Sequence, residues 1–483
     1  MFSSVLLAAL HFGLILAVAL RVLMRRPARG VALAWLLLVV ALPYAGAIIY
    51  FLIGERRIGR SRHERIRRLR DDYKAITGAN PTYMSNAADW TRDRHDHAAL
   101  DSLGQRFFGV PTLTGSSVDL RADTVEILAA IAEEVAAARM SVLMEFYIWN
   151  EGGAADRVLD AVMDAARRGV KCLLLIDAVG ASTWWKGGQP QRLREAGVDL
   201  RQALPVGVMQ SLVGRTDVRL HRKIVVIDGA IGWTGSMNLV DPRYFKQDAG
   251  VGEWVDAMVR IEGPAVSLLA AVMLGDWVAE GGERVHDVVQ AVGLKGQAPS
   301  GETRVQVMPS GPGESRDGLL QVMLTLINAA RREIVMTTPY FVPDDAMVLA
   351  LRGAAARGVK VVLVLPERID SILVRFASRS FYDEIMELGG DVHFYKAGLL
   401  HTKSIGVDGE LALFGTANLD MRSLWLNYEV SLLIYDAGFA GRLRSLQQTY
   451  LDRSLPLDLA AWNARPFHER LAESAMRLMS PLL

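Results

Sequence analysis

Two unbroken apolar stretches open the chain. Residues 1–24 are almost entirely Leu, Ala, Val, Ile and Phe up to Arg21, and residues 31–53 carry no charge at all. Each is long enough to cross a bilayer core about 30 Å thick, which predicts a transmembrane hairpin within residues 1–55. A cleaved signal peptide would open on basic residues, which the first stretch lacks, and a second long apolar stretch follows it at once. The connection between them holds Arg25, Arg26 and Arg29. Residues 56–70 hold Arg56, Arg57, Arg60, Arg62, Arg65, Arg67, Arg68 and Arg70. Excess positive charge stays in the cytoplasm, so both chain ends are expected there and the hairpin tip outside. The basic run is placed to lie on anionic lipid. Pro43 and Gly46 would kink the second stretch without calling for a functional reading.

Beyond a polar stretch, residues 71–110, read as a linker, the pattern changes to alternating helix and strand, and it occurs twice. Residues 123–139 place Val125, Leu128, Ile131 and Val135 at helical spacing, and residues 141–149 (Ser-Val-Leu-Met-Glu-Phe-Tyr-Ile-Trp) read as a strand. Residues 316–332 and 333–341 repeat the arrangement. Each is followed by a helix that ends in Arg-Gly-Val-Lys, at residues 168–171 and 357–360, where the Gly can terminate it. Apolar strands follow, residues 172–176 and 361–365. Helix-strand alternation of this kind predicts an α/β sandwich in each half, with helices covering a mixed sheet. Gly169 and Gly358 are 189 residues apart, whereas later equivalent positions are 180 apart, so the first half holds nine extra residues near Thr183-Trp184-Trp185-Lys186. Paired tryptophans beside a cation suit a bilayer interface, and they suit a core equally well.

Composition narrows the class. With 483 residues, 51% apolar content and a net charge of +1, the chain has the mass for a large core and lacks the basic excess of a nucleic-acid-coating protein. Its single cysteine, Cys172, lies in the apolar run Cys-Leu-Leu-Leu-Ile and can form no intrachain disulfide. His95-Asp96-His97 has no further ligands at metal-binding spacing, and no zinc-type cysteine pattern exists, so neither metal nor cofactor is expected.

The chemistry concentrates in two stretches of one design. His221-Arg222-Lys223 runs through Ile-Val-Val-Ile to Asp228-Gly229 and on to Gly235-Ser236-Met237-Asn238. His401-Thr402-Lys403 runs through Ser-Ile-Gly-Val to Asp408-Gly409 and on to Gly415-Thr416-Ala417-Asn418. Side chains alternate along a strand, so His and Lys two apart share a side, and Asp-Gly closes a hairpin. A neutral imidazole can attack phosphorus, splitting one displacement at a diester into two. A second imidazole protonates the leaving alkoxide and later deprotonates an alcohol. Lys223 and Lys403 would hold the non-bridging oxygens, with Ser236, Asn238, Thr416 and Asn418 as hydrogen-bond donors. Each histidine also needs an acceptor on its other ring nitrogen. The two motifs resemble those of the phospholipase D superfamily, which places an acidic residue a similar distance beyond the histidine. That resemblance makes Glu429 the candidate in the second half, and aligning Ile434 on Ile261 puts Asp256 in the matching place of the first, with Glu253 as the alternative.

The pattern H-x-K, four residues, D, twice per chain, resembles the phospholipase D superfamily. Leu-Pro43-Tyr-Ala-Gly46, Glu145-Phe-Tyr-Ile-Trp149, Pro339-Tyr340-Phe341, the run from Arg260 to Ala265, the run from Asn418 to Ser423 and the terminal Ser480-Pro-Leu-Leu483 resemble bacterial cardiolipin synthases over nearly the whole chain. The resemblance implies residues 1–55 as two transmembrane helices, 56–110 as basic juxtamembrane segment and linker, and 111–295 and 296–483 as two phospholipase D-like domains in a pseudo-two-fold pair. It implies transfer of a phosphatidyl group between two phosphatidylglycerol molecules, giving cardiolipin and glycerol, in the bacterial cytoplasmic membrane with the catalytic part inside. His221, Lys223, Asp228, His401, Lys403 and Asp408 would be catalytic, with His221 as nucleophile. Leu220 departs from the many relatives with a polar residue there. A hydrolytic phospholipase D would use the same residues with water; a nuclease fits poorly with membrane spans and near-zero charge; a non-catalytic scaffold fits poorly with six intact motif residues.

Overall fold

The computed structural model describes residues 2–25, 29–54, 86–91, 95–206, 217–314, 317–478 and 480. The basic run at 56–70 lies outside them. The chain forms two compact units, one holding the N-terminal helices and the other nearly everything from residue 64 onward.

In the first unit, helices Phe2–Arg25 and Arg29–Ala41 are followed by a break at Leu42 and a short helix Pro43–Ile49 that ends in a π turn, Tyr50–Gly54. Proline has no N–H to continue the ladder and so starts a new helix at its first position. Val18, Val22, Trp35, Val39, Ala47 and Tyr50 pack together, while Phe12, Leu16, Leu20, Leu33, Leu37 and Val40 face outward. The second expected span is thus two helices, and among the described residues no helix is long and apolar enough to cross a membrane.

The second unit is built on one sheet of 15 strands. The first half contributes β1 (Leu113–Arg121), β2 (Ser141–Phe146), β3 (Lys171–Asp177), β4 (Asp199–Ala203), β5 (Ile224–Ile227), β6 (Ile231–Gly235) and β8 (Met258–Glu262), with β7 (Trp254–Val255) outside that sheet. The second contributes β9 (Thr303–Ser310), β10 (Glu333–Thr337), β12 (Lys360–Pro366), β13 (Asp391–Tyr395), β15 (Ser404–Val407), β16 (Leu411–Gly415), β18 (Glu429–Tyr435) and β19 (Ser454–Pro456). Short strands β11 (Phe341–Val342), β14 (Leu399–Leu400) and β17 (Leu419–Asp420) pair off the main sheet, β11 with β17 and β14 with β7. The order β19-β13-β12-β10-β15-β16-β18-β9-β1-β8-β6-β5-β2-β3-β4 reads the same outward from its middle, with β19 as the one addition. Antiparallel β9 and β1 join the halves there. The parallel strands β3 and β12 are buried on both faces, which accounts for their unbroken apolar runs.

Local signals fix the elements that carry the site. Helix Thr124–Ala137 starts where the Asp123 carboxylate accepts from the Glu126 N–H. Gly169 and Gly358 end their helices at φ +89° and +86°. Asp228-Gly229 and Asp408-Gly409 all have positive φ, the two-residue turn whose twist matches a hairpin.

Two further readings are decided by the structure. Residues 95–108, read as linker, form a helix whose Leu100 and Phe108 are buried and whose Asp101 accepts from Thr112 and Gln306. His97 lies in that helix against Trp90 and Tyr435. The Trp184-Trp185 segment is a short helix, Ser182–Trp185, and its interfacial reading is overturned: Trp184 is buried, stacks on Trp149 at 4.9 Å and donates to Gln189 at 2.8 Å, while Trp185 donates to the Asp177 carbonyl. An indole whose N–H finds a partner inside the fold has no need of the bilayer interface.

Candidate active site

The histidine motifs enter the sheet as β5 and β15, just after the imidazoles. His221 and His401 lie on the extended segments before these strands, and each segment is pinned to the opposite half. The His221 N–H donates to the Tyr428 carbonyl at 2.9 Å, and the His401 N–H to that of Val255 at 2.8 Å. Leu220 is buried there, bridged to Tyr428, with its N–H on Asp177, so the departure at this position is a core packing choice.

That crossing decides the hydrogen bonds. His221 Nδ1 lies 2.9 Å from Glu429 Oε2, and His401 Nδ1 lies 2.7 Å from Asp256 Oδ1. Each candidate carboxylate therefore serves the histidine of the other half, not of its own. Glu253 instead gives its backbone carbonyl to the Leu399 N–H. Ser236 Oγ donates to Asp256 at 2.5 Å and Thr416 Oγ1 to Glu429 at 2.6 Å. These hydroxyls are thus spent on the carboxylates, which corrects the expectation that they face substrate. Asn238 Oδ1 accepts from the Ile148 N–H, and the buried Asn418 Oδ1 has no hydrogen-bond partner among the described residues.

Lys223 Nζ donates to the His221 carbonyl and Lys403 Nζ to the His401 carbonyl, both at 2.6 Å. Each ammonium keeps further N–H donors. The motif aspartates do something else. Asp228 accepts from the N–H groups of Arg139, Met140 and Ser141, and Asp408 from those of Arg331, Arg332 and Glu333. Each sits seven residues beyond its histidine, at the far end of a four-residue strand, roughly 23 Å away by strand rise. Both tie the hairpin to the start of β2 or β10 and so fix where the histidine falls; they touch no group of the site.

Burial dominates the electrostatics. It lowers His221 and His401 to about 4, against the pull of Glu429 and Asp256. It lowers Lys223 to about 8 and Lys403 to about 7. For the carboxylates burial works upward, but the facing imidazole and lysine outweigh it and hold Asp256 and Glu429 below the ordinary range. The site at rest therefore carries ionised carboxylates and neutral imidazoles whose Nδ1–H is donated, leaving Nε2 with its lone pair.

Sequence reasoning missed several neighbours. Tyr147 packs edge-on to His221 at 5.0 Å, and Trp254 lies against His401 at 4.4 Å. The Tyr340 hydroxyl and Lys246 Nζ both reach Asp370, at 2.6 and 3.1 Å, and Asp370 lies within the electrostatic reach of His401. Arg222, the middle residue of the first motif, is fully buried: Nε donates to the Glu429 carbonyl, and the guanidinium pairs with Asp276 and Glu314. Burial opposes that charge, but the two carboxylates more than offset it. Glu145, buried beside Asp276, is pushed well above its usual range by burial and then by that neighbour's charge. The available signal was a lone acid inside apolar runs, Glu145 in Val-Leu-Met-Glu-Phe and Asp276 in Met-Leu-Gly-Asp-Trp.

The family model described as cardiolipin synthase, PLD-like domain matches residues 131–266 and 323–449, and the one described as phospholipase D-nuclease N-terminal matches 13–55. Cardiolipin synthase A of Edwardsiella ictaluri (strain 93-146) is 42% identical over 481 residues, 98% of this chain and 97% of that protein. Cardiolipin synthase A of Escherichia coli (strain K12 / DH10B) is 41% identical over 486 residues, 99% of this chain and 98% of that protein. The crystal structure of phosphatidylserine synthase from Haemophilus influenzae Rd KW20 superposes with a TM-score of 0.62 at 15% identity, covering 80% of this chain and 100% of its own, a likeness of fold alone. With two PLD-like halves and relatives matched nearly end to end, the chain belongs to the cardiolipin synthase family of the phospholipase D superfamily.

Proposed function

We propose that this enzyme moves a phosphatidyl group from one phosphatidylglycerol to the terminal hydroxyl of another, releasing glycerol. The observation that carries the reading is the crossed pair of relays, each an imidazole hydrogen-bonded through Nδ1 to an ionised carboxylate beside a lysine. Nε2 of His221 attacks phosphorus, the bond to the glycerol oxygen breaks, and His401 gives that oxygen its proton. His401 then takes the proton of the second lipid's hydroxyl, whose oxygen attacks phosphorus as the N–P bond breaks. Lys223 and Lys403 meet the non-bridging oxygens. An anionic diester placed among these groups favours the charged imidazole that the empty site disfavours, so the acid is made when substrate arrives.

The membrane reading rests on the N-terminal helices, whose outward apolar side chains suit lipid, and on the family match at residues 13–55. We infer that this unit anchors the enzyme in the bacterial cytoplasmic membrane, with catalysis on the inner side.

The test is incubation of the purified full-length enzyme with headgroup- and acyl-labelled phosphatidylglycerol. Cardiolipin and free glycerol in equal amounts are expected, and phosphatidic acid as the sole lipid product would overturn transfer in favour of hydrolysis. His221→Ala and His401→Ala should each abolish synthesis; substantial product from either defeats the two-histidine cycle. Rapid quenching and peptide mapping should place the label on His221, and a label on His401 reverses the roles.

A further inference from the structure

The C-terminal helix Phe467–Arg477 is built inside out. Its apolar side chains Phe467 and Leu471, with Leu478 just beyond, fall on one stripe at i, i+4 and i+11, and they are 77%, 57% and 82% exposed. Its acidic side chains turn inward: Glu473 is buried and bonded to Arg379 and Arg465, and Glu469 pairs with Arg379. Arg477 pairs with Glu384. Ordinary surface helices do the reverse, burying the apolar stripe and wetting the charges.

The helix it packs against, Ile372–Arg379, continues the pattern, with Ile372 68% and Leu373 52% exposed. That helix starts two residues after Asp370, the carboxylate that Tyr340 and Lys246 hold beside His401. The exposed apolar surface therefore begins at the edge of the active site. The exposed charges on these two helices are Arg375 and Arg470, both cationic, because the acids of the helix pair are drawn into ion pairs with Arg379 and Arg465.

We propose that the helices Ile372–Arg379 and Phe467–Arg477 form a docking face that inserts into the surface of an anionic bilayer at the mouth of the active site. The apolar stripe enters among the acyl chains while Arg375 and Arg470 meet lipid phosphates, the arrangement of an interfacial helix. A lipid headgroup then has only to rise to the site along Asp370, with its chains still in the membrane. The inference rests on the proposed function solely in taking the substrate to be a membrane lipid.

The test uses the full-length enzyme reconstituted in vesicles with and without anionic lipid. Cys172 is buried, so Ile372→Cys and Leu471→Cys can be labelled selectively with a fluorophore, with the exposed Glu195→Cys as control. Nitroxide lipids should quench both labels and not the control, more strongly as anionic lipid increases and less in high salt. Labels that stay unquenched in every lipid mixture overturn the proposal. So do labels shielded only as protein density rises, which would mean a second copy, or shielded equally in dilute detergent, which would mean the chain's own segments. In parallel, Phe467→Gln with Leu471→Gln should raise the KM for bilayer phosphatidylglycerol about tenfold, the loss expected for two apolar contacts of partial burial. Turnover of a short-chain soluble analogue and the melting temperature should not change; equal losses on both substrates sink the idea. Quenching is read without any product, so failure of the transferase reading and failure of the docking face give different results.

Discussion

Replacing Glu429 by Gln removes one negative charge from a fully buried position while keeping size and an acceptor oxygen. The carboxylate accepts from His221 Nδ1 at 2.9 Å and from Thr416 Oγ1 at 2.6 Å, and the Glu429 backbone is independently held by Arg222. The side chain should therefore stay in place. Two unit charges 4 Å apart interact by about 4 kcal/mol at an effective dielectric of 20, which bounds what an imidazolium at His221 can lose. A hydrogen bond to a charged group nets about 1.5–3 kcal/mol, and the neutral amide retains part of it. At about 1.4 kcal/mol per decade of rate, kcat should fall about 10- to 100-fold. The KM for phosphatidylglycerol should hardly move, because the amide touches the imidazole and not the lipid. The assay is conversion of labelled phosphatidylglycerol in mixed micelles, at saturating substrate, with single-turnover measurement of the labelled enzyme intermediate. Formation of that intermediate should slow in Glu429→Gln, whereas Asp256→Asn, acting through His401, should slow proton delivery. A Glu429→Gln enzyme with kcat within twofold of wild type would refute the claim that carboxylates of the opposite half prepare the histidines.

The value of kcat/KM should fall roughly tenfold per unit above about pH 5, because His401, lowered to about 4 in the empty site, must take up the proton it gives to glycerol, and the fall should steepen at about pH 7, since Lys403 and Lys223 are lowered to about 7 and 8. In that steeper limb, lysine deprotonation removes the positive charge that meets phosphate, and Lys403→Arg should lose it through its permanent charge; a steeper limb unchanged by Lys403→Arg and Lys223→Arg counts against the assignment. Asp228→Ala should cost about 1–3 kcal/mol of stability through its lost amide contacts, read as a lower denaturation midpoint, with activity largely kept at low temperature; complete inactivity of a folded variant would give the aspartate a chemical role. Trp184→Ala should cost about 3–5 kcal/mol by leaving a cavity against Trp149, and should reduce turnover of bilayer and soluble lipid together, so a loss confined to bilayer substrate would restore an interfacial tryptophan. EDTA should leave turnover unchanged, because Lys223 and Lys403 supply the charge that faces phosphate; a loss reversed by one specific divalent ion at low concentration would show otherwise.

What could be read in the sequence was whatever depends on near neighbours. Helices Thr124–Ala137 and Gly318–Ala329 and strands β2, β3, β10 and β12 follow from apolar spacing and from Gly at helix ends. The His-x-K repeat marked two equivalent segments for the same reason. The partner of each histidine was not legible, because Glu429 lies 208 residues from His221 and is delivered by a bridge between extended segments that have no pattern of their own. Arg222 was hidden similarly, since Asp276 and Glu314 approach it only once two elements have packed. Trp184 and Trp185 left two readings open because amphipathic rings look alike in a core and at a membrane until their N–H partners are known. In the second apolar stretch, Pro43 counted for more than hydropathy: it divides into two helices what composition alone reads as one.

The antiparallel seam of β1 and β9 ordinarily serves only to make two half-sheets one. Here it is also a switch condition. Because His221 and His401 each borrow their carboxylate from across the boundary, a slip of one half against the other would disconnect both relays together, even with every helix and strand intact. Neither half owns a working histidine. Turnover is accordingly a gauge of docking between the halves, and in a denaturant titration it should fade before either half loses its secondary structure.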